Sequence, residues 1–147
     1  MQKQTIKTIA LTTLFATNIA FAGDYDTAEE AKAMLDKAVI VVKEDKAKAL
    51  EMFTKDECGF KDRDLYPYCG GSDGIFTAHI KLLGKSLKDL TDKTGAVFGE
   101  EIYAKAREGK IVEIPYMWPR PNETEPVQKV VFVTKIDDQI CTITCPP

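Results

Sequence analysis

Tyr116 and Trp118 stand two residues apart in a stretch that alternates like a strand, which puts both rings on one face. A phenol and an indole each join an apolar wall to a hydrogen-bonding tip. Lys129 opens the next extended segment, and its ammonium is suited to a charge-assisted hydrogen bond with a carboxylate. Small-molecule sites are mostly apolar with a few convergent polar groups. Rings for a tail and an amine for a head therefore suit a short carboxylic acid. Plainer roles compete with this one. Paired aromatics more often fill a core or an interface, and a lone strand lysine more often sits solvated at an edge.

Other chemistries find less support. His79 is the only histidine, and a single histidine more often caps a strand end by hydrogen bonding than meets a ligand. A hydrolase needs a nucleophile beside a base, and no pair of the abundant carboxylates stands apart from surface charge; the chain reads as a binding protein, not an enzyme. Residues 89–101 lack the spacing of a calcium loop, and no glycine-rich phosphate loop occurs. No cofactor or metal is implied. With 20 Lys and Arg against 23 Asp and Glu, the net charge of −3 argues against nucleic acid, which needs a basic face.

The elements that must hold these residues begin after a leader. Lys3 and Lys7, an apolar run over residues 9–21, and Ala20-Phe21-Ala22 have the form of a cleaved bacterial signal peptide over residues 1–22. The apolar run is short for a membrane span of about 20 residues. One exported domain is expected over residues 23–147, periplasmic or secreted. In that oxidising setting Cys58, Cys69, Cys141 and Cys145 make two disulfides the default. Residues 140–145 alternate like a strand, placing Cys141 and Cys145 roughly 13 Å apart at about 3.3 Å per residue, too far to bond to each other. Each should reach back to Cys58 or Cys69, tying the last strand to the first, with the pairing open.

Thr27 and Glu30 have the spacing of a capping box, and apolar positions behind them recur at helical intervals. One long helix is expected over residues 28–53, although residues 39–42 are a β-branched run. Strands over 65–69 and 75–79 should form a hairpin around Gly70-Gly71-Ser72-Asp73-Gly74. A second helix over 96–108 should end at Gly109. Three strands then follow over 110–118, 128–136 and 139–145, the last pair turning at Asp137-Asp138. This order predicts an α+β fold: a long N-terminal helix packed on a five-stranded antiparallel sheet.

The ordered series Asp64-Leu65-Tyr66, Asp73-Gly74 with Phe76-Thr77-Ala78-His79, Leu83-Gly84-Lys85-Ser86-Leu87, Asp92-Lys93-Thr94-Gly95, Tyr116-Met117-Trp118-Pro119-Arg120-Pro121, Lys129 and a last strand bearing Cys141 resembles the single Cache domain. The resemblance spans nearly the whole chain after the leader. It implies a PAS-like sheet with the first and last strands side by side, and an extracytoplasmic sensor of small organic acids such as acetate, pyruvate or propionate. It also implies a partner, a membrane chemoreceptor or histidine kinase, or a homodimer through the long helix. A chain of this form reads as a sensor module released alone. By the resemblance His79 lies near the pocket end of its strand, while Tyr66, heading the first strand, divides evenly between core packing and ligand contact. Arg120, between two prolines, is either exposed or at the pocket mouth. The alternative is an interaction protein of the same fold with no ligand, acting through its helix or a dimer surface.

Overall fold

The computed structural model describes residues 26–120 and 122–145, so the expected leader and the side chain of Cys145 lie outside the described residues. The capping box forms as expected: Thr27 Oγ1 accepts the Glu30 N–H at 3.2 Å, and the Glu30 carboxylate accepts the Thr27 N–H at 2.8 Å. From it runs α1 (Ala28–Glu44), which buries Ala31, Leu35, Ala38 and Val42 along one stripe. The β-branched run over 39–42 stays helical within it.

The helix expected over 28–53 is not continuous. Asp45 adopts an extended conformation (φ −152°, ψ 92°), ends α1, and accepts the Lys48 N–H at 3.1 Å to begin α2 (Lys46–Lys55). An aspartate competes with the helix for nearby backbone donors, which is why the break falls there. The break separates two tasks: α1 packs chiefly on the last two strands, and α2 on the first two.

Five strands, β1 (Pro67–Gly71), β2 (Phe76–Ala78), β3 (Val112–Pro119), β4 (Pro126–Ile136) and β5 (Gln139–Cys145), form one antiparallel sheet in the order β2-β1-β5-β4-β3. The first and last strands are therefore neighbours. Their pairing sets Cys69 directly opposite Cys141, and the two form a buried disulfide. Cys58 does not take part in a bridge; it is an exposed free thiol. After α2 the chain turns through left-handed conformations at Asp56 and Cys58, and Phe60 drops into the core against Phe53 at 4.7 Å. That turn leaves Cys58 outside.

The sheet has two covered faces. Leu35, Phe53, Phe132 and Ile143 pack between it and the first two helices. On the other face Phe76, Leu87, Ile102 and Val131 pack beneath the connector that follows β2 and α3 (Phe98–Lys105). A bulge shifts the β1–β2 register by one residue, which sends Ala78 to the first face and Phe76 to the second. The second helix is shorter than expected: it stops at Ala106, and Gly109, at φ 70°, serves a tight turn between Arg107 and Lys110. At Gly99 a Cβ would lie 2.2 Å from the Leu87 carbonyl oxygen, so α3 and the connector meet backbone to backbone. Among the described residues no helix is long and apolar enough to cross a membrane.

Candidate ligand-binding site

The face away from α1 carries a cavity of about 460 Å³ at the end of the sheet where β3 finishes and β4 begins. At roughly 30 Å³ per water-sized group it holds more than a two-carbon acid requires. Tyr66, His79, Tyr116, Trp118 and Lys129, five residues scattered over 63 positions between the first and the last, all line it.

Strand geometry explains two of them together. Tyr116 and Lys129 are direct partners across the β3–β4 ladder, so their side chains rise side by side from the same face. The Tyr116 ring is buried and stacks on Phe98 at 4.8 Å with 20° between the planes. Trp118, two residues on, is 39% exposed and stands at the rim, where the Lys93 ammonium lies 4.5 Å from its ring centroid. Arg120 also lines the cavity and lies 3.8 Å from the carboxylate of Glu123.

Lys129 is not a solvated edge charge. It is 6% exposed, and β4 is an interior strand flanked by β3 and β5. Among the described residues the carboxylate beside it is Asp64, with Nζ to Oδ2 at 3.8 Å. That distance is an ion pair but exceeds hydrogen-bond reach. Asp64 is held from behind: its N–H donates to Asp26 Oδ2 at 2.9 Å, and its carbonyl accepts from Thr144 Oγ1 at 3.4 Å. Asp26 in turn pairs with Arg63, which also meets Glu30 at 2.9 Å. These acids, Glu30 first and Asp26 second, push the Arg63 guanidinium further above its ordinary range. The network fastens the start of α1 to the residue that faces Lys129.

His79 closes the far wall among the rings of Tyr66, Tyr68 and Phe76, at centroid distances of 5.6, 5.6 and 4.9 Å. Its Nδ1 accepts the backbone N–H groups of Lys81 at 2.9 Å and Leu82 at 3.1 Å, so the proton of the neutral ring sits on Nε2. Burial, with the Lys81 charge second, lowers the imidazole to about 4. The Tyr66 hydroxyl is pushed up by burial and then by Asp64, and burial raises Tyr68 further still.

The rim rests on one carboxylate. Asp92 Oδ1 accepts from Thr94 Oγ1 at 2.7 Å, Thr94 N–H at 2.8 Å and Ala96 N–H at 3.1 Å, while Oδ2 accepts the Met117 N–H at 2.9 Å. These bonds, led by the Thr94 hydroxyl, hold its carboxyl down at about 2. Met117 lies on the outer edge of β3, and its carbonyl accepts the Lys93 N–H at 3.1 Å. The Asp92-Lys93-Thr94-Gly95 turn is thus a clasp that sets Lys93 over Trp118.

Sequence reasoning overlooked Tyr68, Phe98 and Asp64 as wall residues. Tyr68 carries a readable signal, since it follows Tyr66 by two just as Trp118 follows Tyr116. Phe98 reads as an ordinary apolar helix position, and Asp64 as one acid among many. Among the described residues no cluster of His, Cys, Asp and Glu is arranged to hold a metal ion.

The family model for the Cache domain matches residues 25–139. No curated protein is significantly similar to this chain. A solved structure described as "Periplasmic sensor domain of chemotaxis protein" is similar at 19% identity and a TM-score of 0.56, covering 80% of this chain and 88% of that one. A second, from "Structural basis for carboxylic acid recognition by a Cache chemosensory domain", is similar at 17% identity and a TM-score of 0.53, covering 80% of this chain and 86% of that one. At these identities the likeness concerns the fold.

Proposed function

The chain belongs to the Cache domain family, and we propose that it is an exported sensor module that binds a short carboxylic acid in the cavity beside Lys129. The observation that carries this reading is the Lys129 ammonium: 6% exposed, on a cavity wall, with its ion-pair carboxylate beyond hydrogen-bond reach at 3.8 Å. Burying such a charge is costly unless its donors are matched. An anion bound against Nζ matches them, and Tyr116, Phe98 and Trp118 give its carbon chain apolar walls. The cavity lining carries the cations Lys93, Arg120 and Lys129 against the acids Asp64 and Glu123, with His79 neutral, an excess of one positive charge that a monocarboxylate cancels. A similar fold described as recognising carboxylic acids agrees with this assignment.

The role is capture, with His79 held neutral as a wall and donor rather than as a catalyst. The leader-like residues 1–22 and the buried Cys69–Cys141 disulfide support a periplasmic or secreted location. A membrane chemoreceptor or histidine kinase is the natural reader of the bound state. The ligand-free alternative, an interaction protein working through its helix, needs an apolar helix face. On α1 the large exposed apolar side chain is Ile40, at 57%, among Asp36, Lys37, Lys43 and Glu44, so the cavity is the better-supported site.

A thermal-shift screen with acetate, propionate, pyruvate and lactate tests the reading. At a concentration one hundred times the dissociation constant, binding adds about 2.7 kcal/mol of apparent stability. A rise in Tm that is lost in Lys129→Ala is expected. No rise with any acid, or an undiminished rise in the variant, contradicts it.

A further inference from the structure

We propose that the acid carries a hydroxyl on the carbon next to its carboxylate, and that Asp64 is the residue that selects it; this rests on the carboxylate reading of the cavity. Asp64 lines the same cavity as Lys129, with 3.8 Å between its Oδ2 and the ammonium. A ligand carboxylate seated on Nζ therefore comes to lie beside a second carboxylate. An ionised Asp accepts hydrogen bonds and cannot donate them. Acetate or propionate offers Asp64 only an anion and a methyl or methylene, so like charges face each other with nothing between. Pyruvate adds a carbonyl oxygen, another acceptor.

The backbone of Asp64 is fixed, which keeps its carboxylate within reach of the ammonium. Its N–H is held by Asp26 Oδ2 at 2.9 Å, its carbonyl by Thr144 Oγ1 at 3.4 Å, and the neighbouring Arg63 is tied to Asp26 and Glu30. A group that donates to Asp64 while its own carboxylate accepts from Lys129 resolves the conflict, and on a short acid that group sits on the α carbon. Hydroxyl and ammonium both donate, but the charge of the lining separates them. Three cations against two acids leave one positive charge in excess, which favours a ligand of net charge −1. A 2-hydroxy acid supplies that charge, whereas a zwitterionic amino acid supplies none. The cavity, at about 460 Å³, has room for the extra oxygen.

L-Lactate, propionate and L-alanine share a three-carbon frame and differ at the α substituent, so calorimetric titration of the full chain with each isolates it. Lactate is expected to bind at least about tenfold more tightly than propionate, the scale of one hydrogen bond to a charged group. In Asp64→Ala, which removes both the acceptor and the charge, that preference should vanish, with propionate gaining affinity because the facing charge is gone. Should that variant not fold, Asp64→Leu repeats the comparison. Propionate binding the wild-type protein as tightly as lactate, alanine binding more tightly than lactate, or a preference unchanged in the variant each overturn the assignment while leaving the carboxylate reading standing. If none of the acids binds, both fall.

Discussion

Lys129 and His79 are both buried in the cavity wall, and each makes a distinct prediction. Lys129 sits beside Asp64 and keeps a partner of opposite sign. Replacing it with Gln removes the charge-assisted hydrogen bond and should weaken acid binding by at least about tenfold, from 1.5–3 kcal/mol in such bonds. Stability should fall as well, because Asp64 loses the cation beside it; calorimetry for affinity and urea unfolding for stability separate the two effects. His79 is lowered to about 4 by burial. An unfolded histidine takes a proton near pH 6.5, so below that pH the unfolded chain binds a proton the native chain refuses. Its contribution is whole above pH 6.5, and stability falls as the pH drops towards 4, by about 3 kcal/mol in all. Asp92, held at about 2, acts in a lower window: its contribution is whole above the ordinary carboxylate range and is lost as the pH falls through about 2. Unfolding free energies between pH 7 and 4 for wild type and His79→Gln check this, with a flatter profile expected in the variant.

At the level of elements, the pieces that position the cavity are fastened at few points. Asp45 ends one helix and caps the next, so Asp45→Ala should cost about 1 kcal/mol, read from the urea midpoint. Gly99→Ala puts a methyl 2.2 Å from the Leu87 carbonyl oxygen and should cost more, since backbone on both sides must shift; the displaced connector carries Leu90 to Lys93, so ligand affinity should fall with it. Much of this architecture was legible in the chain. The capping box at Thr27, the alternation over residues 139–145 and the turn at Asp137 are local patterns whose cause lies within a few residues. Asp45 was not legible, because helix-forming flanks surround it and only packing α1 and α2 against different strands selects the break. The end of α3 was misread for a related reason. Gly109 has the form of a helix stop, but the Arg107–Lys110 turn claims it first. In the site, Tyr116 and Trp118 follow from strand period. The approach of Asp64 to Lys129, 65 residues apart in the chain, depends on β1 lying beside β5 and β5 beside β4, which no local spacing records.

Over the whole molecule, the sheet is a partition with α1 and α2 on one side and α3 with the cavity on the other, stapled at its centre by Cys69–Cys141. That bridge closes a separation of 72 residues, worth about 4 kcal/mol in the chain-entropy account. Reduction, or a paired Cys69→Ser and Cys141→Ser change, should lower Tm by many degrees, while blocking the exposed Cys58 with iodoacetamide should leave it unchanged. The Glu30–Arg63–Asp26–Asp64 network crosses the partition at its edge and links the start of α1 to the cavity wall. The chain carries its own reporter of the cavity: Trp118, its single tryptophan, stands at the rim. Fluorescence titration of the purified protein with lactate and propionate, at constant ionic strength against chloride, reads occupancy where it is claimed. A saturable change with acid and none with chloride, displaced at least about tenfold to higher concentration in Lys129→Gln, is the predicted result. Matching curves for wild type and variant, or for acid and chloride, would contradict it.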